Sequence, residues 1–367
     1  MIKRLKIVNL NGFTTFDNEF YPDVNILTGI NGSGKTSVLR LAWYLMSANI
    51  ERVFDDCSFD HLEMETTQFA IKITPSASRG NKQSVAVDYH DNEKNIFKKD
   101  IPLHDFRREI EPVNQITVQL KRPVPTVMFP TFRRIEGGFS YLGQRGVKSG
   151  VIEERQLKEP LEYGLHNLSR RLGVYMHHFV ASISTSDIKN LLTQSYADVS
   201  RKTNEQHAKL ARDIAGIVQK YKMTKNRQPE GRFIEQISKK VESISEAQKQ
   251  SLSAFETINL IVKDFIKAKS IQITPSLVFG AGEDVLDSDV LSAGEKQFLG
   301  FLAYNALLMG GTLFIDEPEL SLHIDWQRRL LPTLSEQRPD NQLIIATHSP
   351  FIYSIYEDRE LPFGAKQ

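Results

Sequence analysis

The stretch Gly29-Ile30-Asn31-Gly32-Ser33-Gly34-Lys35-Thr36 matches the pattern G-x-x-x-x-G-K-[ST], which is typical of a phosphate-binding loop. It directly follows a strand-like apolar run at residues 24–28 and precedes an apolar segment at residues 37–46 that is suited to a helix. The motif requires this order of strand, loop and helix. The stretch therefore predicts a loop that binds a nucleoside triphosphate. For the motif alone, the alternative is a glycine-rich turn without a ligand.

The residue types of this loop suit phosphate chemistry. Glycines allow backbone N–H groups to curl around phosphates, and the N-terminus of the following helix adds partial positive charge. We expect Lys35 to bridge the β and γ phosphates and Thr36 to ligate Mg²⁺ through its hydroxyl. The loop residues predicted to contact the nucleotide are Asn31, Gly32, Ser33, Gly34, Lys35, Thr36 and Ser37.

The composition is that of an ordinary globular protein, since 40% of the 367 residues are hydrophobic and 25% are charged. The formal net charge of +1 neither favours nor excludes a nucleic-acid partner, so any basic surface must be local. The single cysteine, Cys57, excludes an intrachain disulfide and a cysteine-rich zinc site. These features suit a reducing compartment, and we expect a cytoplasmic protein.

Residues 298–315 form an uncharged run of 18 residues, which is close to the length that spans a bilayer. Asn305 and the Gly310-Gly311 pair divide this run into two parts that are each too short to span. We therefore predict a buried helix followed by a buried strand, and no membrane association.

The first 150 residues predict strands around the loop, as a mixed β-sheet lobe. Apolar and polar residues alternate through much of residues 1–28. They alternate again at residues 69–73 and 85–87, on either side of a polar turn at 76–83, and we expect these two runs to pair as an antiparallel hairpin. Further on, Arg133-Arg134 follows a short apolar strand, where the pair either contacts a phosphate or a partner or is simply solvated.

Residues 151–269 contain few glycines and many charged residues at helical spacing, which predicts a helical insertion. Four apolar residues within 234–244 follow a 3-4-3 step that resumes at Phe255, as in a heptad pattern with a stutter. We predict a short coiled-coil arm, with residues 187–221 as the partner helix and a turn at residues 228–231.

Residues 201–227 carry eight lysines and arginines against two acids, Glu205 and Asp213. Such a cluster is either a contact for nucleic acid or a solvated helix face, and the second is the more common case. DNA therefore stays open as a partner.

Three further features lie near the C-terminus, and their order matters more than any one of them. The first is Leu-Ser-Ala-Gly-Glu-Lys-Gln at residues 291–297, which opens an apolar helix. Ser292 and Gly294 would present a hydroxyl and backbone donors to an anion at the N-terminus of that helix. Alternatively, Ser292 and Glu295 form an ordinary capping box.

The other two features are apolar strands that end in polar side chains. Residues 312–319 end in Asp316 and Glu317, an arrangement in which one acid holds Mg²⁺ through water and the next polarises the attacking water. Residues 343–349 end at His348, and a histidine beside a γ phosphate can stabilise charge in the transition state.

With these motifs in order, the sequence resembles an ABC-type ATPase head. The resemblance is to the branch that contains the structural-maintenance-of-chromosomes and recombination-repair ATPases and the overcoming-lysogenisation-defect (OLD) family. The phosphate loop matches Walker A, residues 291–297 resemble the LSGGQ signature, Asp316 and Glu317 match Walker B with its catalytic glutamate, and His348 matches the switch histidine. The run Asp-Glu-Pro-Glu-Leu-Ser-Leu-His at residues 316–323 is close to that of OLD-like ATPases, with its last three residues in the place of the D-loop.

This resemblance implies an α/β fold, an ABC-type P-loop NTPase with a mixed β-sheet lobe and a helical, short coiled-coil insertion. Residues 1–150 and 270–367 would be the two parts of the head, and residues 151–269 the arm. ATP and Mg²⁺ are the implied ligands. The implied assembly is a homodimer, or a higher homo-oligomer, in which two subunits sandwich two ATP molecules.

The resemblance also assigns roles within such a site. Lys35, Glu317 and His348 would be catalytic: Lys35 binds phosphate, Glu317 positions the water and His348 senses the γ phosphate. Thr36 and Asp316 would hold Mg²⁺. From the other subunit, the signature residues would reach the same γ phosphate, and those assigned to nucleotide binding are Ser292, Gly294 and Glu295.

Two departures from the family pattern affect these assignments. No glutamine stands out as the Q-loop ligand, and Gln115 and Gln119 are only weak candidates. OLD nucleases continue past the histidine motif into a Toprim nuclease domain, whereas this chain runs from Pro350 only to residue 367. We therefore expect any nuclease to be a separate partner protein.

Two biological roles follow from the resemblance. The first is the sensor or scaffold ATPase of a prokaryotic antiphage system, similar in layout to the PARIS or Septu ATPases, which controls a separate effector. The second is a DNA-repair or chromosome-maintenance ATPase that binds DNA directly. The short arm favours the first role and the basic residues at 201–227 favour the second.

Overall fold

The computed structural model divides the chain into two compact units, residues 1–183 with 308–367, and residues 184–307. The predicted division at residues 150 and 269 stays a prediction. The structure describes residues 1–77, 83–92, 96–102, 124–131, 164–165, 167–174, 176–183, 185–223, 235, 237–239, 241–242, 245, 271–272, 278–279 and 292–362.

The described part of the chain contains both helices and strands, and the two types alternate from residue 293 onwards. The strands are β1 (Ile2–Leu10), β2 (Thr14–Glu19), β3 (Val24–Thr28), β4 (His61–Thr66), β5 (Phe69–Ala77), β6 (Gln83–Asp91), β7 (Ile96–Pro102), β8 (Thr126–Phe129), β9 (His177–Phe179), β10 (Ile271–Gln272), β11 (Val278–Phe279), β12 (Thr312–Asp316), β13 (Gln342–Ala346) and β14 (Glu360–Pro362). The helices are α1 (Lys35–Met46), α2 (Val53–Asp56), α3 (Thr185–Met223), α4 (Ala293–Leu307), α5 (Ile324–Gln337) and α6 (Pro350–Tyr353). Short 3₁₀ turns lie at Ile50–Arg52, Pro318–Ser321 and Glu357–Arg359.

A six-stranded parallel sheet forms the first layer of the larger unit, in the order β14-β3-β13-β12-β8-β9. Every residue of β8, β12 and β13 is buried, as expected for parallel strands that are covered on both faces. Asp316 pairs with Ala346, and Ala346 pairs with Leu27 in the strand before the phosphate loop. The carboxyl ends of these strands therefore meet at one edge, which is where open α/β sheets bind ligands.

The second layer is an antiparallel sheet in the order β2-β1-β4-β5-β6-β7. Buried and exposed residues alternate along β4, because one face of the sheet packs on the core. The predicted hairpin is confirmed: β5 and β6 pair antiparallel, with Ile73 opposite Val87. The strands extend to Ala77 and from Gln83, so they shorten the predicted turn, whose centre lies outside the described residues.

One hydrophobic core joins α1 to both sheets. It contains Leu5 and Ile71 of the antiparallel sheet, Phe314 of the parallel sheet, and Trp43 of α1, whose ring lies 5.3 Å from that of Phe179. Each large apolar side chain buried in this way contributes about 1.5–3 kcal/mol to folding. The core fixes α1, and with it the phosphate loop, over the parallel sheet.

The buried amide of Gln342 links the two sheets by hydrogen bonds. Its Oε1 accepts from Ile2 N at 2.8 Å, and its Nε2 donates to Ile2 O and Tyr21 O, each at 2.8 Å. The side chain thus pairs with the start of β1 as a neighbouring strand would. These bonds satisfy the backbone N–H and C=O of the buried residue Ile2 at the start of β1.

Near its C-terminus, the chain follows the predicted order of a buried helix and a buried strand. In the segment 298–315, α4 ends at Leu307 and β12 begins at Thr312, with a positive φ of 63° at Gly310 between them. None of the helices in the described part of the chain is long and apolar enough to cross a membrane.

The smaller unit contains the long helix α3, which packs against α4. Ile188 and Leu192 of α3 are buried, but from residue 193 to 219 every described side chain is at least partly exposed. In the region of the predicted coiled coil, residues 237–239 and 241–242 are helical. Ile234, Ile244, Phe255 and the turn at 228–231 lie outside the described residues, so the coiled coil stays a prediction.

The helical spacing predicted for residues 151–269 does not hold for His177–Phe179, which form β9 at the edge of the parallel sheet. His177 Nδ1 lies 2.9 Å from the Thr126 hydroxyl of β8. Burial, and to a lesser extent the neighbouring His178, lowers the pKa of His177 to about 4. A buried neutral imidazole therefore helps to hold β9 beside β8. Arg133-Arg134, Gln115 and Gln119 lie outside the described residues.

Candidate nucleotide-binding site

The phosphate loop connects β3 to α1 through three glycines with positive φ angles, 147° at Gly29, 78° at Gly32 and 104° at Gly34. Residues with a side chain rarely adopt such φ angles. A Cβ placed on Gly32 would meet no atom within 4 Å, so glycine is needed there for its backbone conformation and not for lack of space. Helix α1 has no side-chain cap and no acid in its first turn. Its N-terminal N–H groups therefore offer an anion site.

Lys35 is held inside the loop by the loop's own backbone. Its Nζ donates to Gly29 O and Ile30 O, each at 3.0 Å, and lies 3.5 Å from Ser33 Oγ. Burial lowers the pKa of Lys35, and the opposing effect of the carboxylates of Glu317, Asp316 and Glu319 is smaller. The ammonium of Lys35 thus lies where it could contact the phosphate oxygens of a nucleotide bound in the loop.

Asp316, at the end of β12, accepts hydrogen bonds from two other segments of the chain. Thr36 Oγ1 donates to its Oδ1 at 3.0 Å, and Thr131 Oγ1 donates to its Oδ2 at 2.6 Å. A hydroxyl and a carboxylate are the hard oxygen ligands that Mg²⁺ prefers. Among the described residues, no group of three histidines, cysteines or acids could hold a metal ion. This donor set fits a Mg²⁺ that takes its remaining ligands from phosphate and water.

Glu317 follows Asp316 in a left-handed conformation with a φ of 47°, which is uncommon for a residue other than glycine. Its backbone N donates to Ala346 O at 2.8 Å, so the end of β13 fixes the peptide. The Glu317 carboxylate lies 3.9 Å from His348 Nε2. Local backbone strain of this kind concentrates at functional sites.

These side chains line one cavity of about 210 Å³ within the larger unit. The predicted residues Lys35, Thr36, Asp316, Glu317 and His348 meet there from three separate segments of the chain. Asn31 of the loop is exposed and does not line the cavity. The full lining consists of Asn11, Phe13, Gly32, Ser33, Gly34, Lys35, Thr36, Ser37, Asp316, Glu317 and His348.

Asn11 and Phe13 line the cavity but were absent from the sequence prediction. They lie in the turn between β1 and β2, where Asn11 and Gly12 have φ angles of 53° and 81°. Phe13 is 60% exposed, although phenylalanine is among the residues that are most often fully buried. An Asn-Gly turn followed by an aromatic residue was the available signal.

Thr131 and Glu319 were also missed. Thr131 bonds to Asp316, whereas the Glu319 carboxylate accepts from the Thr347 hydroxyl at 2.8 Å and from His348 N at 2.7 Å. For Thr131 the sequence holds no signal, because its position depends on β8 lying next to β12 in the sheet. Glu319 stood within the conspicuous Asp-Glu-Pro-Glu run, but its partners lie almost 30 residues away.

The signature residues lie in the smaller unit, where helix α4 begins inside the motif rather than after it. Ser292 and Glu295 form a capping box: Ser292 N donates to Glu295 Oε2 at 2.6 Å, and Glu295 N donates to Ser292 Oγ at 3.3 Å. Gly294 is buried and Ser292 is exposed. The predicted contact of these residues with a nucleotide on a second subunit stays a prediction.

Comparison with known proteins gives one family match. The family described as "AAA domain, putative AbiEii toxin, Type IV TA system" matches residues 189–354, a little under half of the chain. The matched segment begins after the phosphate loop and includes the signature helix, Asp316, Glu317 and His348.

Two solved structures are similar over most of the chain. One is an Smc head bound to the C-terminal winged-helix domain of ScpA, with 11% identity and a TM-score of 0.40 over 96% of this chain and 91% of that one. The other is an Smc head domain with an extended coiled coil bound to the C-terminal domain of ScpA, derived from Pyrococcus furiosus. It has 12% identity and a TM-score of 0.39 over the same shares of each chain.

The predicted fold class is confirmed, since the chain has a mixed α/β fold with parallel and antiparallel sheets around a phosphate loop. The match to an AAA-domain family and the cleft together support a P-loop ATPase.

Proposed function

We propose that the protein binds Mg²⁺ and ATP in this cleft and hydrolyses ATP: water attacks the γ phosphorus, its bond to the β–γ bridging oxygen breaks, and ADP and phosphate are released. One observation carries the proposal: the phosphate loop, the two carboxylates at the end of β12 and the histidine after β13 line a single cavity. A glycine-rich turn without a ligand would not need an acid pair and a histidine beside it. The direct test of the function is Mg²⁺-dependent release of phosphate from ATP by the purified protein.

In this proposal the phosphate loop and α1 bind the nucleotide. The first-turn N–H groups and the Lys35 ammonium would take the phosphate oxygens, with the ammonium exchanging the carbonyls of Gly29 and Ile30 for them. Thr36 and Asp316 would hold Mg²⁺, which neutralises phosphate charge when bound. Lys35→Ala should abolish nucleotide binding in calorimetry. Lys72→Ala, at an exposed lysine of β5, is the matched control and should bind as the wild type does.

In this proposal Glu317 and His348 catalyse hydrolysis. The Glu317 carboxylate would accept a hydrogen bond from the attacking water and orient it, and His348 would donate to the γ-phosphate oxygens as their charge grows. Their separation of 3.9 Å supports these roles, because it would let both groups reach the same phosphate.

We further propose that the working form is a homodimer in which Ser292, Gly294 and Glu295 of one subunit complete the site of the other. Mixed subunits test this. A Lys35→Ala chain cannot bind the nucleotide in its phosphate loop but keeps an intact signature motif. A Ser292→Arg chain keeps an intact loop but has a disrupted signature motif. In a shared site, mixing the two inactive chains restores one intact site per heterodimer and returns part of the hydrolysis rate. No recovery on mixing would contradict the shared site.

For the biological role we favour a sensor or scaffold ATPase in an antiphage defence system, similar in layout to the PARIS or Septu ATPases, that controls a separate effector such as a nuclease. The matched family carries the name of a toxin of a toxin–antitoxin system, which agrees with a defence role. Affinity purification of the tagged protein should recover a second protein from its own host. If none is recovered with ATP present, the scaffold role fails.

The alternative is direct DNA binding in repair or chromosome maintenance. It is supported by the exposed basic side chains on α3, where Arg201, Lys209 and Arg212 all face solvent to a large extent. DNA affinity measured across a salt series should then fall steeply with salt, and the slope should decrease when these three residues are changed to glutamate. An affinity unaffected by these changes would exclude α3 as the contact.

A further inference from the structure

Glu319 connects the two strand ends that carry the proposed catalytic groups. It lies in the 3₁₀ turn Pro318–Ser321, two residues after Glu317. Its Oε1 accepts from His348 N at 2.7 Å, and its Oε2 accepts from Thr347 Oγ1 at 2.8 Å. Each oxygen of the carboxylate is therefore used by one donor of the loop after β13.

The network continues behind these bonds until it returns to the same turn. Thr347 Oγ1 accepts from Ser349 N at 3.0 Å, and Ser349 Oγ donates to Gln327 Oε1 at 2.6 Å. Gln327 Nε2 donates to Leu322 O at 2.8 Å, at the end of the turn that contains Glu319. Thr347, Ser349 and Gln327 are all at least nine-tenths buried. A buried, closed network of this kind fixes a single arrangement.

The chemical type of Glu319 is unexpected for a purely structural bridge. It adds a third carboxylate near Lys35, alongside Asp316 and Glu317, in a site that should receive a highly negative ligand. A neutral side chain could accept one of the two bonds without this charge. Only a carboxylate offers two equivalent acceptors for a hydroxyl and an amide at once. Glu319 therefore holds the His348 amide and the Thr347 hydroxyl at the same time, and the bond to the His348 amide ties it to a proposed catalytic residue.

We propose that Glu319 is a positioning residue for His348. By holding the His348 backbone, it sets the distance at which the imidazole stands opposite Glu317, now 3.9 Å, and so aims it at the γ phosphate. The inference rests on the proposed ATPase function. It extends that function by assigning the second glutamate of the Asp-Glu-Pro-Glu run to the histidine rather than to metal or water.

A double-mutant cycle tests this assignment on hydrolysis. Glu319→Ala should lower kcat about 10- to 100-fold, because a misplaced catalytic group costs about that much, and should leave the affinity for ATP nearly unchanged. In a His348→Ala background, Glu319→Ala should have almost no further effect, since the residue it positions is gone. Glu319→Gln keeps an acceptor for the His348 amide and should recover most of the loss.

The structural readout is hydrogen exchange of the amides in residues 343–351. Exchange should be faster in Glu319→Ala than in the wild type and close to wild type in Glu319→Gln. Glu336→Ala, which removes an exposed carboxylate of α5, is the matched control and should change neither exchange nor kcat.

Several results would overturn the assignment: a wild-type kcat in Glu319→Ala, full additivity with His348→Ala, or unchanged exchange at residues 343–351. A wild-type protein that hydrolyses no ATP would instead refute the proposed function. In that case the exchange measurement still decides whether Glu319 holds the histidine loop.

Discussion

At the scale of single residues, the side chains that meet at Asp316 decide how a metal ion could be held. Its two oxygens accept hydrogen bonds from two different threonines, one in the phosphate loop and one two residues after the end of β8. The first threonine belongs to the loop motif and was predicted from it. Thr131 could not be predicted, because which strand lies beside β12 is decided by long-range pairing that no short pattern reports.

Thr131→Val should weaken the use of Mg²⁺ without removing the site. The change deletes the hydroxyl that orients Asp316, and loss of such a supporting bond costs about 10-fold or more in metal affinity. Calorimetric ATP binding at a series of Mg²⁺ concentrations should show the shift, and phosphate release should show the same shift. Thr131→Ser keeps the hydroxyl and should behave as the wild type. An unchanged Mg²⁺ requirement in Thr131→Val would contradict this role.

Phe13 should stack on the nucleobase, since its exposed ring lines the cavity beside the phosphate loop. Stacking on an aromatic ring contributes about 1–3 kcal/mol per base, so Phe13→Ala should weaken ATP binding about 5- to 150-fold. Inorganic triphosphate has no base and should compete equally well with both proteins. Phe13→Tyr should retain wild-type affinity. If Phe13→Ala weakened ATP and triphosphate equally, the stacking role would be wrong.

At the scale of secondary-structure elements, local patterns predicted most of the site and long-range pairings decided the rest. The strand before the loop, the hairpin of β5 and β6, and the helix and strand in residues 298–315 each carry their own periodicity, and all were predicted. Strand β9 was missed, because His177–Phe179 is too short to show alternation. Its pairing with β8 depends on Thr126, about 50 residues earlier.

Strand β9 should make stability depend on pH through His177. Folding lowers the pKa of His177 from 6.5 to about 4, so between these values the unfolded chain binds a proton that the folded chain does not. The stabilisation is complete above about pH 6.5 and is lost as the pH falls towards 4. In the described part of the chain, its Nε2 has no hydrogen-bond partner to accept the added charge.

The measurement compares urea unfolding of the wild type with that of His177→Gln at pH 7 and at pH 5. The difference in unfolding free energy between the two proteins should shrink by about 2 kcal/mol at the lower pH. A difference that is the same at both pH values would show that His177 titrates normally in the folded protein.

At the scale of the whole molecule, the proposed sites are distributed over two compact units. The phosphate loop, Asp316, Glu317 and His348 belong to the larger unit, and the signature residues belong to the smaller one. The resemblance to ABC-type ATPase heads implies a site shared between two copies of the chain. That arrangement cannot be derived from one copy, and it stays a prediction.

If two copies share the nucleotides, a variant that binds ATP without hydrolysing it should accumulate as a dimer. Glu317→Gln with Mg²⁺ and ATP should therefore run in light scattering at twice the chain mass of 41.8 kDa. The double variant Lys35→Ala, Glu317→Gln cannot bind the nucleotide and should stay at the mass it has without ATP. If the Glu317→Gln protein were saturated with ATP but kept the mass it has without ATP, the result would contradict a dimer in which two subunits enclose the nucleotides.

The central claim is that the cleft hydrolyses ATP with Glu317 orienting the water, and phosphate release compared between the wild type and Glu317→Gln tests it most directly. We predict Mg²⁺-dependent release by the wild type, and release slowed by about 10²-fold or more in Glu317→Gln, which still binds ATP. A Glu317→Gln protein that releases phosphate at the wild-type rate would contradict the assignment of Glu317. A wild-type protein that binds no ATP would contradict the account as a whole.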